Sequence, residues 1–302
     1  MKKLVLDIGG TLIKYAVMNR NAEIFQRGEL PTPLENIEDL MRKIEEIYHS
    51  VKDEVDGIAI SMPGNIDSEK GYIYSPGYLK YNANTNILDK IHEYIDVPIS
   101  VENDGKSAAL AEVWKGNLSD CKDGVFMILG TGIGGGIIKD GKVHKGNHFF
   151  AGEFSFIMQE FNDLTFDNVF ALTGSTSAFV SEVAATKNGD SNSINGYKVF
   201  SMIEENDKEV LEIFERFTRN IAIQIYNLQC ILDPDKILIG GGISKQPILL
   251  EKIKENLEKI YEKIPFDIPH AVVDTCKHYN DSNLIGALYN YYLQFPEEKN
   301  NI

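Results

Sequence analysis

Residues 126–143 read FMILGTGIGGGIIKDGKV, with five glycines in the seven residues from Gly130 to Gly136. Gly130, Gly132 and Gly135 satisfy the G-x-G-x-x-G spacing of a dinucleotide-binding turn. That turn needs a strand before the glycines and a helix after them, because the pyrophosphate rests on the helix N-terminus. The apolar run Val125 to Leu129 supplies the strand. After the glycines the chain continues as Ile137-Ile138-Lys139-Asp140-Gly141-Lys142-Val143, two short runs around Asp-Gly, which is a hairpin and not a helix. The dinucleotide reading fails on that context. A P-loop fails as well: Gly105-Lys106-Ser107 has the right tail, but Ser100 stands where the leading glycine belongs. There remains a glycine-rich hairpin turn. It is either a plain tight turn or one whose bare N–H groups meet phosphate oxygens, with no Cβ in the way.

The same plan occurs at the start of the chain. Leu4 to Ile8 is a short apolar run ending in Asp7-x-Gly9-Gly10, and Leu12 to Met18 returns from it. Strand, glycine turn and strand are therefore used twice, an internal duplication of architecture with little identity between copies. Between the copies, Ile24 to Leu30 predicts a third strand. Apolar residues at Ile37, Leu40, Met41, Ile44, Ile47, Tyr48 and Val51 predict a helix. Gly57 to Met62 and Val97 to Val101 predict buried strands, and Lys106 to Trp114 a helix. After the second copy the pattern is mostly helical: Val199 to Leu232 as one long amphipathic stretch, strand Lys236 to Ile239, and helix Ile248 to Ile264. A short strand Ala271 to Asp274 and helix Ser282 to Leu293 complete the chain, with a frayed PEEKNNI tail. The fold class is α/β with a duplicated mixed-sheet domain. The expected first lobe is 1–116, joined by the C-terminal helix 282–302, and the second is 117–281.

The bulk numbers narrow the function. At 302 residues the chain can hold two cores. A net charge of −15 repels nucleic acid and anionic lipid, so neither a nucleic-acid nor a membrane partner is expected. The three cysteines, Cys121, Cys230 and Cys276, lie far apart, with no zinc-like spacing and no disulfide framework. No signal peptide or bilayer-length apolar stretch is present, and a reduced, cytoplasmic setting fits best.

With both glycine turns in hand, LVLDIGGTLIKYAVM resembles the first phosphate motif of the actin-like ATPase superfamily, specifically that of the ROK sugar kinases. MILGTGIGGGII resembles the second phosphate motif and DPDKILIGGGIS the adenosine motif. VENDGKSAALAE resembles the segment with the catalytic aspartate, and AGEFSF the sugar-binding Gly-Glu segment. The resemblance implies a two-lobed actin-like (ribonuclease H-like) fold that uses ATP and Mg²⁺ to phosphorylate a sugar, and a homodimer. Asp7 would hold Mg²⁺ through waters. Gly9, Gly10, Thr11 and Lys14 would meet the phosphates from one turn, and Thr131, Gly132 and Gly134 from the other. Gly240, Gly241 and Gly242 would admit adenosine. Asp104 would be the catalytic base, taking the proton of a sugar hydroxyl. Asn103 and Glu153 would bind sugar hydroxyls, and Ser61, Pro63 and Gly64 would line the sugar site. Read without the resemblance, Asp104 before a helix is an ordinary N-cap, and Lys14 an exposed hairpin lysine.

The departures from the family pattern are coherent. Phe156 stands where the family has a histidine, and the segment FNDLTFDNVFALTGSTSAF has no cysteine where the family binds zinc. Ala171 falls near the position of a further glutamate, with Asp167 as a possible substitute and His148 as a possible replacement for the histidine. These losses imply a zinc-free kinase. N-acetylmannosamine is the leading substrate, with glucose, β-glucosides and fructose as alternatives. A sugar-responsive repressor is disfavoured, because the first strand begins at Leu4 and leaves no room for a helix-turn-helix. A silent sugar sensor is disfavoured by Asp7, Asp104 and both turns occurring together.

Overall fold

The computed structural model describes residues 2–160, 165–187, 189 and 194–296. The expected fraying from residue 297 onward, and residues 161–164 of the cysteine-free segment, lie outside them. The chain divides into two compact units. Unit 1 comprises Met1–Ser119, Lys142–Ala151 and Asn280–Ile302; unit 2 comprises Asp120–Gly141 and Gly152–Tyr279.

Unit 1 begins with β1 (Lys2–Ile8), β2 (Leu12–Asn19), β3 (Ile24–Pro31), α1 (Ile37–Val51) and β4 (Val55–Met62). A small sheet comes next, of β5 (Asn65–Asp67), β6 (Tyr72–Ser75) and β7 (Thr85–Asn86), then α2 (Ile87–His92), β8 (Ile99–Asn103) and α3 (Asp104–Lys115). The main sheet has the order β3-β2-β1-β4-β8. β1 is antiparallel to β2, with Asp7 opposite Lys14, and parallel to β4, which is parallel to β8. Because β1 is buried on both faces, it reads as a continuous apolar run. Leu4, Leu6 and Ile8 pack with Leu40, Ile44 and Ile47 of α1. Asn36 caps that helix by accepting from the Asp39 N–H.

Unit 2 contains β9 (Gly124–Leu129) and β10 (Ile133–Lys139); the chain then turns at Asp140-Gly141 into β11 (Lys142–His144). Its helices are α4 (Phe170–Gly174), α5 (Thr176–Thr186), α6 (Gly196–Glu204) and α7 (Lys208–Leu232), followed by β12 (Lys236–Gly240), α8 (Pro247–Tyr261) and β13 (Val273–Thr275). Within the unit the strands run β10-β9-β12-β13. β9 is antiparallel to β10 and parallel to β12, which is parallel to β13. This is the order and sense of β2-β1-β4-β8, so the duplication expected from the glycine turns is present strand for strand. The sheet packs on an aromatic core in which Phe179 stacks on Phe217 at 4.5 Å.

The last helix, α9 (Ser282–Gln294), returns to unit 1. Its Leu284, Leu288 and Tyr291 cover Val5, Ala16 and Ala59 on the sheet face opposite α1, together with Ala111 of α3. At the crossing of α9 and α3 the backbones touch: a Cβ on Gly286 would lie 1.6 Å from the Ser107 carbonyl oxygen.

Two expectations change. The stretch Val199 to Leu232 is two helices, because Asn206 adopts φ 59° and Asp207 caps a new helix by accepting from the Val210 N–H. Residues 142–151, assigned from sequence to the second lobe, pack with unit 1. Lys145 reaches Glu102 at 2.8 Å, the Asn65 amide donates to the His148 carbonyl at 2.8 Å, and Phe149 stacks on Tyr74.

Candidate active site

In unit 1 the first glycine turn is closed by the Gly9 N–H donating to Leu12 O at 2.9 Å, and Thr32 Oγ1 donates to Gly9 O at 2.8 Å. Thr11 is exposed and Lys14 half-buried. Asp7, at the carboxyl end of β1, is 9 % exposed. Its Oδ1 accepts from the Asn283 amide at 2.9 Å and, more weakly, from the Ser61 hydroxyl at 3.4 Å. Burial pushes the Asp7 carboxyl above its ordinary value, against the Asn283 amide, the Lys14 charge and the Ser61 hydroxyl, which pull it down. A cation would relieve that burial cost. Mg²⁺ binds through one or two carboxylates together with waters and phosphate oxygens, so a lone Asp7 suits a water-mediated ion.

The junction of β8 and α3 holds the second cluster. Asn103, 6 % exposed, caps α3: its Oδ1 accepts from the Lys106 N–H at 3.0 Å. Its Nδ2 donates to Gly64 O and to Asp104 Oδ1, both at 3.0 Å. Asp104 Oδ1 also accepts from the Gly105 N–H at 2.8 Å. The ordinary N-cap is thus Asn103, and Asp104 is the first residue of the helix, with one carboxylate oxygen pinned by two donors. Both amide hydrogens of Asn103 are engaged, one on Gly64 O and one on Asp104. Ser61, expected among the sugar-lining residues, is fully buried and its hydroxyl faces Asp7. Gly64 lies against the Ser75 carbonyl, and Gly77 against Pro63 and Gly64. Tyr78 packs its side-chain root on Gly10 and is 62 % exposed. The Gly9–Gly10 turn, the Pro63–Gly64 turn and Asp104 are thereby joined in one unit by direct contacts.

Behind Asp104 lies a buried ion pair that sequence reading missed. Glu102 is fully buried. Its Oε2 accepts from Lys145 Nζ at 2.8 Å and from Ser68 Oγ at 3.0 Å, and its Oε1 from the Asn103 N–H at 2.9 Å. Lys145 also meets Ser68 Oγ at 2.6 Å. Nothing local in the sequence pairs residues 102 and 145.

In unit 2 the second turn closes by the Gly130 N–H donating to Gly132 O at 3.0 Å, and Thr131 is exposed. The Gly-Glu segment is tied to it. Ser155 Oγ accepts from the Ile133 N–H at 2.9 Å and donates to Ile133 O at 3.1 Å, with Gly134 next in the strand and half-buried Glu153 two residues before Ser155. Gly241, at φ 94°, lies on the end of β9: a Cβ there would be 2.2 Å from Leu129 O. Gly240 is buried and Gly242 exposed beside it, so the adenosine motif adjoins the second phosphate turn. Phe156 is 51 % exposed, and both Asp167 and His148 are exposed.

A β-glucoside kinase of Listeria monocytogenes is 28 % identical over 293 residues, 96 % of this chain and 97 % of that one. An N-acetylmannosamine kinase of Haemophilus influenzae is 29 % identical over 292 residues, 96 % of this chain and 95 % of that one. The solved structure of a ROK family protein from Streptococcus pneumoniae in complex with sucrose is 28 % identical. It superimposes with a TM-score of 0.89, covering 98 % of this chain and 100 % of that one. The fold is that of the actin-like ATPases. No helix among the described residues is long and apolar enough to cross a membrane. The strand plan used twice and the five motifs agree with the match of the ROK family description to residues 3–291, and the chain belongs to the ROK family.

Proposed function

We propose that this sugar kinase transfers the γ-phosphoryl group of ATP to the primary 6-hydroxyl of a hexose or N-acetylhexosamine, with Asp104 as the base. The observation that carries the reading is the geometry at residues 102–105. An aspartate just beyond the carboxyl end of β8, the edge strand beside β4, is held by Asn103 and the Gly105 N–H, while Asn103 takes over the capping of the helix. The Asp104 carboxylate accepts the proton of the 6-hydroxyl as its oxygen attacks the γ-phosphorus. The bond from that phosphorus to the β-phosphate oxygen breaks, and ADP leaves. Gly10, Thr11 and Lys14 in unit 1, and Thr131, Gly132 and Gly134 in unit 2, offer donors to phosphate oxygens, and Gly9 leaves room for them. Gly240, Gly241 and Gly242 give the adenosine access to backbone. Asp7 would hold Mg²⁺ through water, and that ion would neutralise phosphate charge. Gly64, Pro63 and Glu153 contact the sugar.

Two acceptors stand within that class. N-acetylmannosamine is favoured by Phe156 in place of the family histidine and by the absent cysteines, and a relative of that name matches 96 % of the chain. A β-glucoside is favoured by the relative named β-glucoside kinase, and by the fact that Phe156 cannot hydrogen-bond a hydroxyl at the anomeric carbon. Coupled ATP-consumption assays over glucose, β-glucosides, fructose and N-acetylmannosamine decide between them by kcat/KM. No turnover with any sugar would sink the kinase reading.

A further inference from the structure

Asn283 lies outside all five motifs, yet its amide makes the shorter of the two hydrogen bonds to Asp7. It donates to Asp7 Oδ1 at 2.9 Å, against 3.4 Å for the Ser61 hydroxyl. Both donors meet the same oxygen, and among the described residues Asp7 Oδ2 has no hydrogen-bond partner. A carboxylate that is 9 % exposed at the carboxyl end of β1 is thus fastened by one oxygen and keeps the other, two residues before Gly9.

Helix chemistry does not account for an asparagine at this position. Asn283 is the second residue of α9, and in a first helical turn a carboxylate suits the macrodipole better than an amide. A carboxylate at 283 would stand against Asp7, whereas an amide donates to it without adding charge. The helix that carries Asn283 is also fixed in register. Three residues on, Gly286 lies against the Ser107 carbonyl of α3, and seven residues on, the Asn290 amide donates to Val101 O of β8 at 3.2 Å. Residues at i, i+3 and i+7 share one helix face, so two contacts further along the same face hold the Asn283 amide at Asp7. Leu284 and Leu288 seat the helix on Val5, Ala16 and Ala59 of the sheet. A side chain on so rigid a mount suits a positioning role. An unfastened carboxylate can rotate and offer either oxygen, whereas one pinned at Oδ1 offers only Oδ2. We propose that Asn283 is a positioning residue for metal-assisted nucleotide binding: by pinning Oδ1 it fixes the orientation of Asp7 and reserves Oδ2 for the waters of the nucleotide's Mg²⁺. This inference rests on the kinase reading, in which Asp7 is the group for that ion.

Calorimetric titration of a non-hydrolysable ATP analogue, with and without Mg²⁺, tests the role without turnover. The readout is the factor by which Mg²⁺ tightens binding. Removing an outer-shell partner of a metal ligand costs about 10–100-fold in affinity. Here the carboxylate acts through water, so the low end applies: Asn283→Leu, which keeps the shape and loses the donor, should lower the factor roughly tenfold. Binding without Mg²⁺ should stay close to that of the parent, which a merely structural defect would not spare. Asn283→Gln restores the donor and should recover most of the factor. Asn283→Ala leaves room for a water against Asp7 and covers the event that Asn283→Leu folds poorly; a loose water does not fix Oδ1, so the same loss is expected. In kinetics the KM for Mg²⁺ should rise in Asn283→Leu while the sugar KM does not. A factor of one in the parent, a factor unchanged in Asn283→Leu or Asn283→Ala, or an Asn283→Gln protein no better than Asn283→Leu overturns the positioning role. ATP consumption separates the failures. A factor lost in Asn283→Leu without turnover of any sugar by the parent removes the kinase reading alone, whereas sugar turnover by the parent with an unchanged factor in the variant removes only the role of Asn283.

Discussion

Lys145→Met is the sharpest probe of the architecture behind Asp104. The side chain is replaced by one of similar length without charge, so the loss is mainly that of the ion pair with Glu102. Glu102 is fully buried, and Lys145 is 26 % exposed. Removing one partner of a buried pair costs about 3–5 kcal/mol because the other charge stays behind. Two features lower the figure here. Lys145 keeps some contact with water, and Glu102 retains Ser68 Oγ and the Asn103 N–H as donors. The expected loss is therefore near the bottom of that range, about 3 kcal/mol. At roughly 2–4 °C per kcal/mol for a unit of this size, Tm should fall by about 6–12 °C. Adding Glu102→Gln removes the stranded charge, so the double variant should recover part of the loss. Because the Asn103 N–H hangs on Glu102, kcat should fall in Lys145→Met more than the sugar KM rises. Thermal denaturation of both variants and steady-state kinetics read these effects. A Tm within measurement error of the parent, or a double variant no more stable than the single one, would refute the reasoning.

Three further outcomes are expected. Asp104→Asn should lower kcat by at least about 10²-fold while sugar affinity measured by calorimetry stays within a few-fold; substantial residual turnover removes Asp104 from the mechanism. Asp7→Asn should raise Tm at pH 8 while abolishing Mg²⁺-dependent turnover. The folded Asp7 carboxyl sits above its ordinary 3.8, so the folded state binds protons more tightly and loses stability as pH rises from that value through the raised one. The stabilisation should therefore shrink as pH falls toward 3.8, and an Asp7→Asn protein less stable at pH 8 contradicts the burial argument. Gly241→Ala forces a Cβ against the Leu129 carbonyl at a left-handed φ, so a loss of about 1–3 kcal/mol and a raised KM for ATP are expected, read by denaturant unfolding and kinetics.

The parts of the fold that were legible in the sequence are those fixed by short-range chemistry. The two glycine turns, the Asp140–Gly141 hairpin with both residues at positive φ, and helix α1 with its apolar spacing depend on residues within a few positions of one another. The break at Asn206 was equally local, an Asn-Asp pair ahead of a new helix, but the apolar period runs across it and hides it. What could not be read depends on distant partners. Lys145 looks like any loop lysine until Glu102 is placed beside it. Asn283 looks like an ordinary helix residue until it meets Asp7. Asn103 and Asp104 are adjacent candidates for one cap, and only the strand's exit angle decides which side chain turns back to the helix.

The contact between Gly286 and Ser107 has a bearing on biosynthesis. One face of the first sheet is covered by α9, which is synthesised well after the strands it packs on, so those strands wait for their final cover until residues 282–294 have been made. Unit 2, whose elements lie between residues 120 and 279, can close its own core earlier. The chain is thus expected to mature from the middle outward, with the early strands exposed to chaperones until residues 282–294 arrive.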